Sequence, residues 1–262
     1  MPDATKPRWG LYGRKPATHP VGYRLLDHYV DAIPEAPPTF DHTNGYDNFL
    51  MWGNGPDNSL HANGGNPVGD CAFVGTVVVN LVDEIETHEP APLPTSDEVV
   101  NHYLAYNHGQ DVGCNLSELL SYWHTVGLPW SGKIAGYAGL NFRDLDTFWA
   151  GVNAFGNGYL GIVVTEAMEQ QSNAGEPWDL TGTDADNNVL GGHCVTALAR
   201  TSAAGDGVVE TWAMRQPFTA RWFQHNVEEA HVVLTHSQVA RKGNGYGLNI
   251  AKLESDLNQL SL

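Results

Sequence analysis

The chain has 262 residues, 42% of them hydrophobic, with eight Trp and ten Tyr, which is enough to bury a sizeable core in one large domain. Thirteen Lys and Arg against 30 Asp and Glu give a formal charge of −17 with no basic stripe, a balance that repels phosphate backbones and argues against nucleic acid as a partner. No apolar run approaches the ~18 residues of a membrane span, and MPDATKPRWG carries no apolar stretch of the secretory kind, so no membrane partner and a cytoplasmic location are expected.

Residues 1–64 are rich in Pro, Gly, Asn and Asp, and read as an extended arm packed on a body formed by 65–262. Trp9, Tyr12, Tyr46, Phe49 and Trp52 are its expected anchors, and HPVGYRLLDHYVDAI (19–33) holds its one short helix. From Cys71 to Glu86 apolar residues cover most of the helical circumference, the pattern of a helix buried mid-domain. Pro90, Pro92 and Pro94 break the chain, and Ser96 is the expected cap of a helix over roughly 97–107. Asn115 caps another, with Leu116, Leu119, Leu120 and Trp123 on one face and Gly127 as its stop.

The second half changes character. GKIAGYA (132–138) reads as a strand, 143–155 as a helix, and YLGIVVT (159–165) as a β-branched strand followed by a polar loop. HCVTALAR (193–200) and GVVETWAM (207–214) bracket SAAGDG as a hairpin, AHVVLT (230–235) is a further strand, and IAKLESDLNQL (250–260) closes the chain as a helix. Helices first and antiparallel strands second predict an α+β domain of two facing layers.

The chemistry concentrates at two places. In NPVGDCAFVG, Cys71 stands at the first turn of the buried helix, where free N–H groups and the macrodipole favour a thiolate. In GGHCVTALA, His193 heads a strand behind two glycines that leave space around the imidazole, as a general base requires. A buried cysteine and a strand-end histidine are each more often structural, and only their joint context points to catalysis. If the hairpin centres near 203, His193 faces about residue 213. The group orienting its far nitrogen then comes from 212–216, where Gln216 is the best amide.

GDC opening a helix, GGH heading a strand, then VVETWAM and RWFQHNVEEAHVVLT: over roughly 65–236 the chain resembles the papain-like cysteine peptidase superfamily. More narrowly it is similar to papain-like proteins of actinobacteria and their bacteriophages. The resemblance implies a cysteine on the central helix of a helical layer, facing a histidine on an antiparallel β-sheet. It also implies an Asn or Asp as third group, a place Gln216 would fill here, and a side-chain amide ahead of the nucleophile. The nearest such amides are Asn66 and Asn63; Asn66 would set an N–H beside that of Cys71 as an oxyanion hole, or simply serve its Gly/Pro-rich turn. Asp70 beside the thiol opposes ionisation unless it caps the helix and points away.

No cofactor or metal is expected. DADNN (184–188) lacks the glycine and terminal acid of a calcium loop, the histidines and three cysteines lack zinc spacing, and no phosphate-binding loop occurs. Two functions stay open. One is a Cys71–His193 thiol hydrolase acting on a peptide or cell-wall amide. The other is an inert papain-like scaffold that assembles with protein partners as a virion or surface structural protein.

Overall fold

The computed structural model describes residues 12–17, 23–43, 68–88, 93–212 and 214–260. Helix α1 (Cys71–Thr87) is the centre of the molecule. Its side chains from Cys71 to Val79, with Leu81 and Val82, are buried, as an apolar circumference demands. It lies close on the sheet because Gly75 has no side chain: a Cβ there would stand 2.6 Å from the Tyr159 ring and 3.4 Å from Cys194 Sγ. Beside α1 stand α2 (Ser96–Tyr106) and α3 (Leu116–Thr125), with the Phe73 ring edge-on to Tyr103 and Tyr106.

The sheet is antiparallel at every pairing. Its strands in chain order are β1 (Phe40–Asp41), β2 (Gly136–Gly139), β3 (Gly158–Thr165), β4 (Val189–Arg200), β5 (Gly207–Thr211), β6 (Met214–Phe218) and β7 (Val227–Leu234). In space the order is β2-β7-β3-β4-β5-β6, with β1 pairing β4. Four further helices link or close it: α4 (Leu145–Phe155), α5 (Glu166–Ala174), α6 (Ala220–Asn226) and α7 (His236–Lys242), followed by α8 (Ile250–Leu260) as a fifth. Cys194, Gly161 and Glu229 form one cross-strand row over β4, β3 and β7; Thr196, Tyr159 and His231 form the next, with Glu210 on β5 opposite Thr196. No described helix is long and apolar enough to cross a membrane.

Helical and strand layers face each other as expected, and three local expectations change. Thr95, not Ser96, caps α2, because Glu98 falls three residues into the helix and returns a bond to the Thr95 N–H, closing a capping box. The expected polar loop after β3 contains α5, a helix with only Ala167, Met168, Gln171 and Ser172 buried, so its apolar stripe is too thin to read in sequence. The expected strand 207–214 is two strands: β5 ends at Thr211, Trp212 takes a left-handed φ of 47°, and β6 folds back on β5. Of the arm's expected anchors, only Tyr12 is among the described residues.

The capping assignment is directly testable. Thr95→Ala should lower unfolding free energy by about 1 kcal/mol in urea titrations, and Ser96→Ala by less than half of that.

Candidate active site

The first turn of α1 meets β4 where the sequence places its two reactive groups. Cys71 is 2% exposed, and backbone N–H groups of Cys194, Gly13 and Ala72 are directed at its sulfur. Cys194 directly follows His193, so the N–H at the Cys71 sulfur is that of the backbone position after the imidazole, while no hydrogen bond among the described residues joins Cys71 to the His193 ring itself. Alternation along β4 turns the Cys194 side chain toward Gly75 of α1, into the core, as expected.

His193 is 1% exposed. Its Nε2 is 2.7 Å from Thr211 Oγ1, and its ring stacks on Trp212 at 4.9 Å between centroids, tilted by 17°. Nδ1 is buried and has no hydrogen-bond partner among the described residues. With Nε2–H donating to Thr211, Nδ1 carries the free lone pair that a general base needs.

Gln216 is therefore not the group that holds the imidazole. The register at β4–β5 sets Thr196 opposite Glu210, as a hairpin centred near 203 requires; position 213, the expected partner of His193, lies outside the described residues. The reversal at Trp212 then takes Gln216 away: it pairs with Val209, donates to the carbonyls of Glu176 and Pro217, and accepts from Ser172. Thr211 occupies the orienting place instead. Its signal in the sequence was the TW pair ending a strand, legible only once the chain is known to turn there. Asn66 and Asn63 lie outside the described residues.

The electrostatics are those of a closed site. Burial pushes the Cys71 thiol up; the Cys194 N–H opposes this, the Asp70 carboxylate adds to it, and the value settles at about 11. Asp70 is the N-cap residue and its side chain makes no capping bond to the helix; its carboxyl group opposes ionisation of the thiol. Burial alone drives His193 down to about 3. Across the hairpin, burial holds Glu210 up at about 8, so it is protonated at neutral pH. The thiolate expected from the helix end is therefore absent in this state, because desolvation outweighs the dipole.

What closes the site is the chain's own arm. Residues 12–17 run between the two layers: Arg14 N–H donates to the Gly192 carbonyl at 3.0 Å, Lys15 N–H to Cys114 at 2.8 Å, and Cys114 N–H to Gly13 at 2.6 Å. Asn115 Nδ2 holds the Pro16 carbonyl at 3.1 Å, and the Tyr12 hydroxyl binds Glu169. A methyl on Gly13 would overlap the Gly69 carbonyl, and one on Gly191 would meet Tyr12 Cβ at 2.5 Å. The space that the glycines at 191 and 192 leave beside His193 is thus filled by a polypeptide backbone.

No protein-family model matches the sequence, and no curated protein does. Solved structures do. The chain is similar to xylellain, a cysteine protease from Xylella fastidiosa, with a TM-score of 0.66 at 13% identity over 90% of this chain and 99% of that one. It is also similar to digestive procathepsin L 3 of the Tenebrio molitor larval midgut, with a TM-score of 0.52 at 12% identity over 82% and 75%.

The fold is papain-like.

At these identities the likeness is one of architecture, and the narrower resemblance to actinobacterial and phage proteins finds no support in these neighbours. Within the papain-like frame, Cys71 on α1 and His193 on β4 occupy the facing layers.

Two outcomes follow from the closed geometry. Iodoacetamide at pH 7 should label Cys71 of the native chain slowly, and Gly13→Ala should speed labelling at least tenfold by expelling the arm, read by mass spectrometry of the modified peptide. His193 is held neutral far below the ordinary imidazole value near 6.5, so the unfolded chain takes up a proton that the native one refuses. Its contribution to stability is complete above pH ~6.5 and lost as pH falls toward 3. Denaturant titrations of His193→Gln between pH 7 and 4 should show a shallower loss of stability than those of the parent chain.

Proposed function

We propose that the protein is a papain-like thiol hydrolase of peptide or amide bonds, kept latent by residues 12–17 of its own chain. The observation that supports this most is the sulfur of Cys71 lying at the N–H that follows His193, with His193 tethered through Nε2 and left open at Nδ1. Once the arm withdraws, water reaches the cleft and the desolvation that raises the thiol and depresses the imidazole is relieved. The thiol proton then passes to Nδ1, and the sulfur attacks the substrate carbonyl carbon. The tetrahedral oxyanion is collected at the N-terminus of α1, where the Cys71 N–H is the nearest donor. Collapse breaks the C–N bond, His193 returns its proton to the leaving amine, and water releases the acyl group from sulfur. Thr211 and the Trp212 face keep the ring in one orientation throughout. The naming of the first structural neighbour as a cysteine protease supports the same chemistry.

The thiol at about 11 and the adjacent Asp70 favour a second reading, an inert scaffold whose pocket serves assembly, including in a virion. Burial, to which the arm contributes, is the leading cause of the high thiol, and withdrawal of the arm would relieve it. The two readings separate in one experiment. Gly13→Ala should hydrolyse members of a broad peptide and cell-wall amide library, and Gly13→Ala combined with Cys71→Ala should fold alike and hydrolyse none. Thr211→Val should lower kcat by about tenfold to a hundredfold while leaving KM within about threefold, since it orients the base without touching substrate. A library untouched by Gly13→Ala, with Cys71 alkylated readily, would establish the scaffold.

A further inference from the structure

Strand β7 breaks its alternation at one point. Ile162 pairs with Val227 and Gly161 with Glu229, which leaves Glu228 as an extra residue in a β-bulge. Consecutive residues of a regular strand point to opposite faces. Here the bulge brings Glu228 and Glu229 to one guanidinium. Arg14 Nε donates to Glu229 Oε1 at 2.9 Å, Nη1 and Nη2 both donate to Glu228 Oε2 at 2.7 Å, and Nη1 reaches the Ile162 carbonyl at 3.3 Å. The Arg14 and Glu229 side chains are 2% and 0% exposed, whereas Glu228, at 48%, forms the rim.

The pocket is built for this occupant. A Cβ on Gly161 would stand 2.5 Å from both Arg14 Nε and Glu229 Cγ, so the missing side chain is what makes room for the guanidinium. Glu229 is held from behind by His231 Nε2 at 3.0 Å. Burial acts to raise the Glu229 carboxyl, but His231 and Arg14 outweigh it and keep it below its ordinary value, so it is charged at neutral pH. Gly161 is also the β3 partner of Cys194, whose N–H meets the Cys71 sulfur. At ~4.8 Å per strand, Glu229 lies about 10 Å along the row from Cys194. That is the reach of a residue next to the one being cleaved.

We infer that the Glu228–Glu229 pocket is the specificity pocket of the cleft, that it takes an arginine side chain of a polypeptide substrate, and that Arg14 fills it until the arm withdraws. The inference rests on the hydrolase reading. Two carboxylates at different directions suit the planar fork of arginine better than the point charge of lysine. The glycine-walled channel occupied by Gly13 selects a small residue beside that arginine. A net charge of −17 further favours encounter with basic peptides.

The test uses binding first, so that it does not depend on catalysis. The full chain carrying Cys71→Ala and Arg14→Ala has the nucleophile removed and the pocket emptied. Against it, fluorescent Tyr-Gly-Arg-Lys-Pro, a copy of residues 12–16, is compared by anisotropy with the same peptide bearing citrulline, the neutral isostere, at the arginine position. The arginine peptide should bind at least about tenfold more tightly, and adding Glu228→Gln should shrink the ratio to about threefold or less. Equal binding of the two peptides, or binding of neither, overturns the inference and leaves Arg14 as an internal ion pair. If Arg14→Ala does not fold, Arg14→Gln, which also takes the cation out of the pocket, replaces it and the same comparison applies. Hydrolysis by Gly13→Ala without preference for arginine would sink the pocket while leaving the hydrolase. Selective binding without any hydrolysis would sink the hydrolase and leave a peptide-binding pocket.

Discussion

The contact on which the rest depends is the backbone of Gly13–Arg14 wedged between the N-terminus of α1 and strand β4. One set of hydrogen bonds ties it to Gly192 on the sheet and another to Cys114 beside the helical layer, so a segment of the arm bridges the two layers at their reactive edge. The wedge explains features that otherwise conflict. A cysteine at a helix N-terminus should ionise easily and a histidine at a strand end should titrate near neutrality, yet burial sends the first to about 11 and the second to about 3. Both shifts have desolvation as their leading cause, and the arm is part of what excludes water.

The sheet prepares the same edge from the other side. One cross-strand row carries Cys194, Gly161 and Glu229, placing a backbone N–H for the sulfur, an open floor and a buried carboxylate in sequence across three strands. The bulge at Glu228 and the reversal at Trp212 are local departures from regular β-structure, and each re-aims a side chain: Glu228 to Arg14, and Thr211 to His193.

Much of the frame was legible in the sequence because it rests on local physics. An apolar circumference placed α1, Asn115 and the Leu116–Trp123 spacing placed α3, and α8 occupies the expected 250–260. The hairpin pairing of Thr196 with Glu210 was readable too, although a register shift at Ala197–Ala199 contributes to it as well as the turn. What escaped depended on long-range contact or a single dihedral. Nothing local marks Trp212 for φ 47°, and without that turn the orienting group is expected within 212–216, where Gln216 is the best amide, rather than at Thr211. The glycines at 69, 191 and 192 read as space for an imidazole or a tight turn, whereas they make room for residues of the arm. Glu228 and Glu229 precede the expected strand 230–235, and nothing local shows that β7 starts before them with a bulge that brings both to Arg14.

The most direct measurement of this account is hydrogen exchange of the arm amides before and after covalent modification of Cys71. In the native chain the Arg14, Lys15 and Cys114 amides are donors to Gly192, Cys114 and Gly13 and should be protected. A peptidyl vinyl sulfone that alkylates Cys71 must occupy the same channel, so the adduct should lose protection across 12–17 while α1 keeps its own. Rapid exchange of 12–17 in the native chain, or an adduct at Cys71 that leaves those amides protected, would contradict the account.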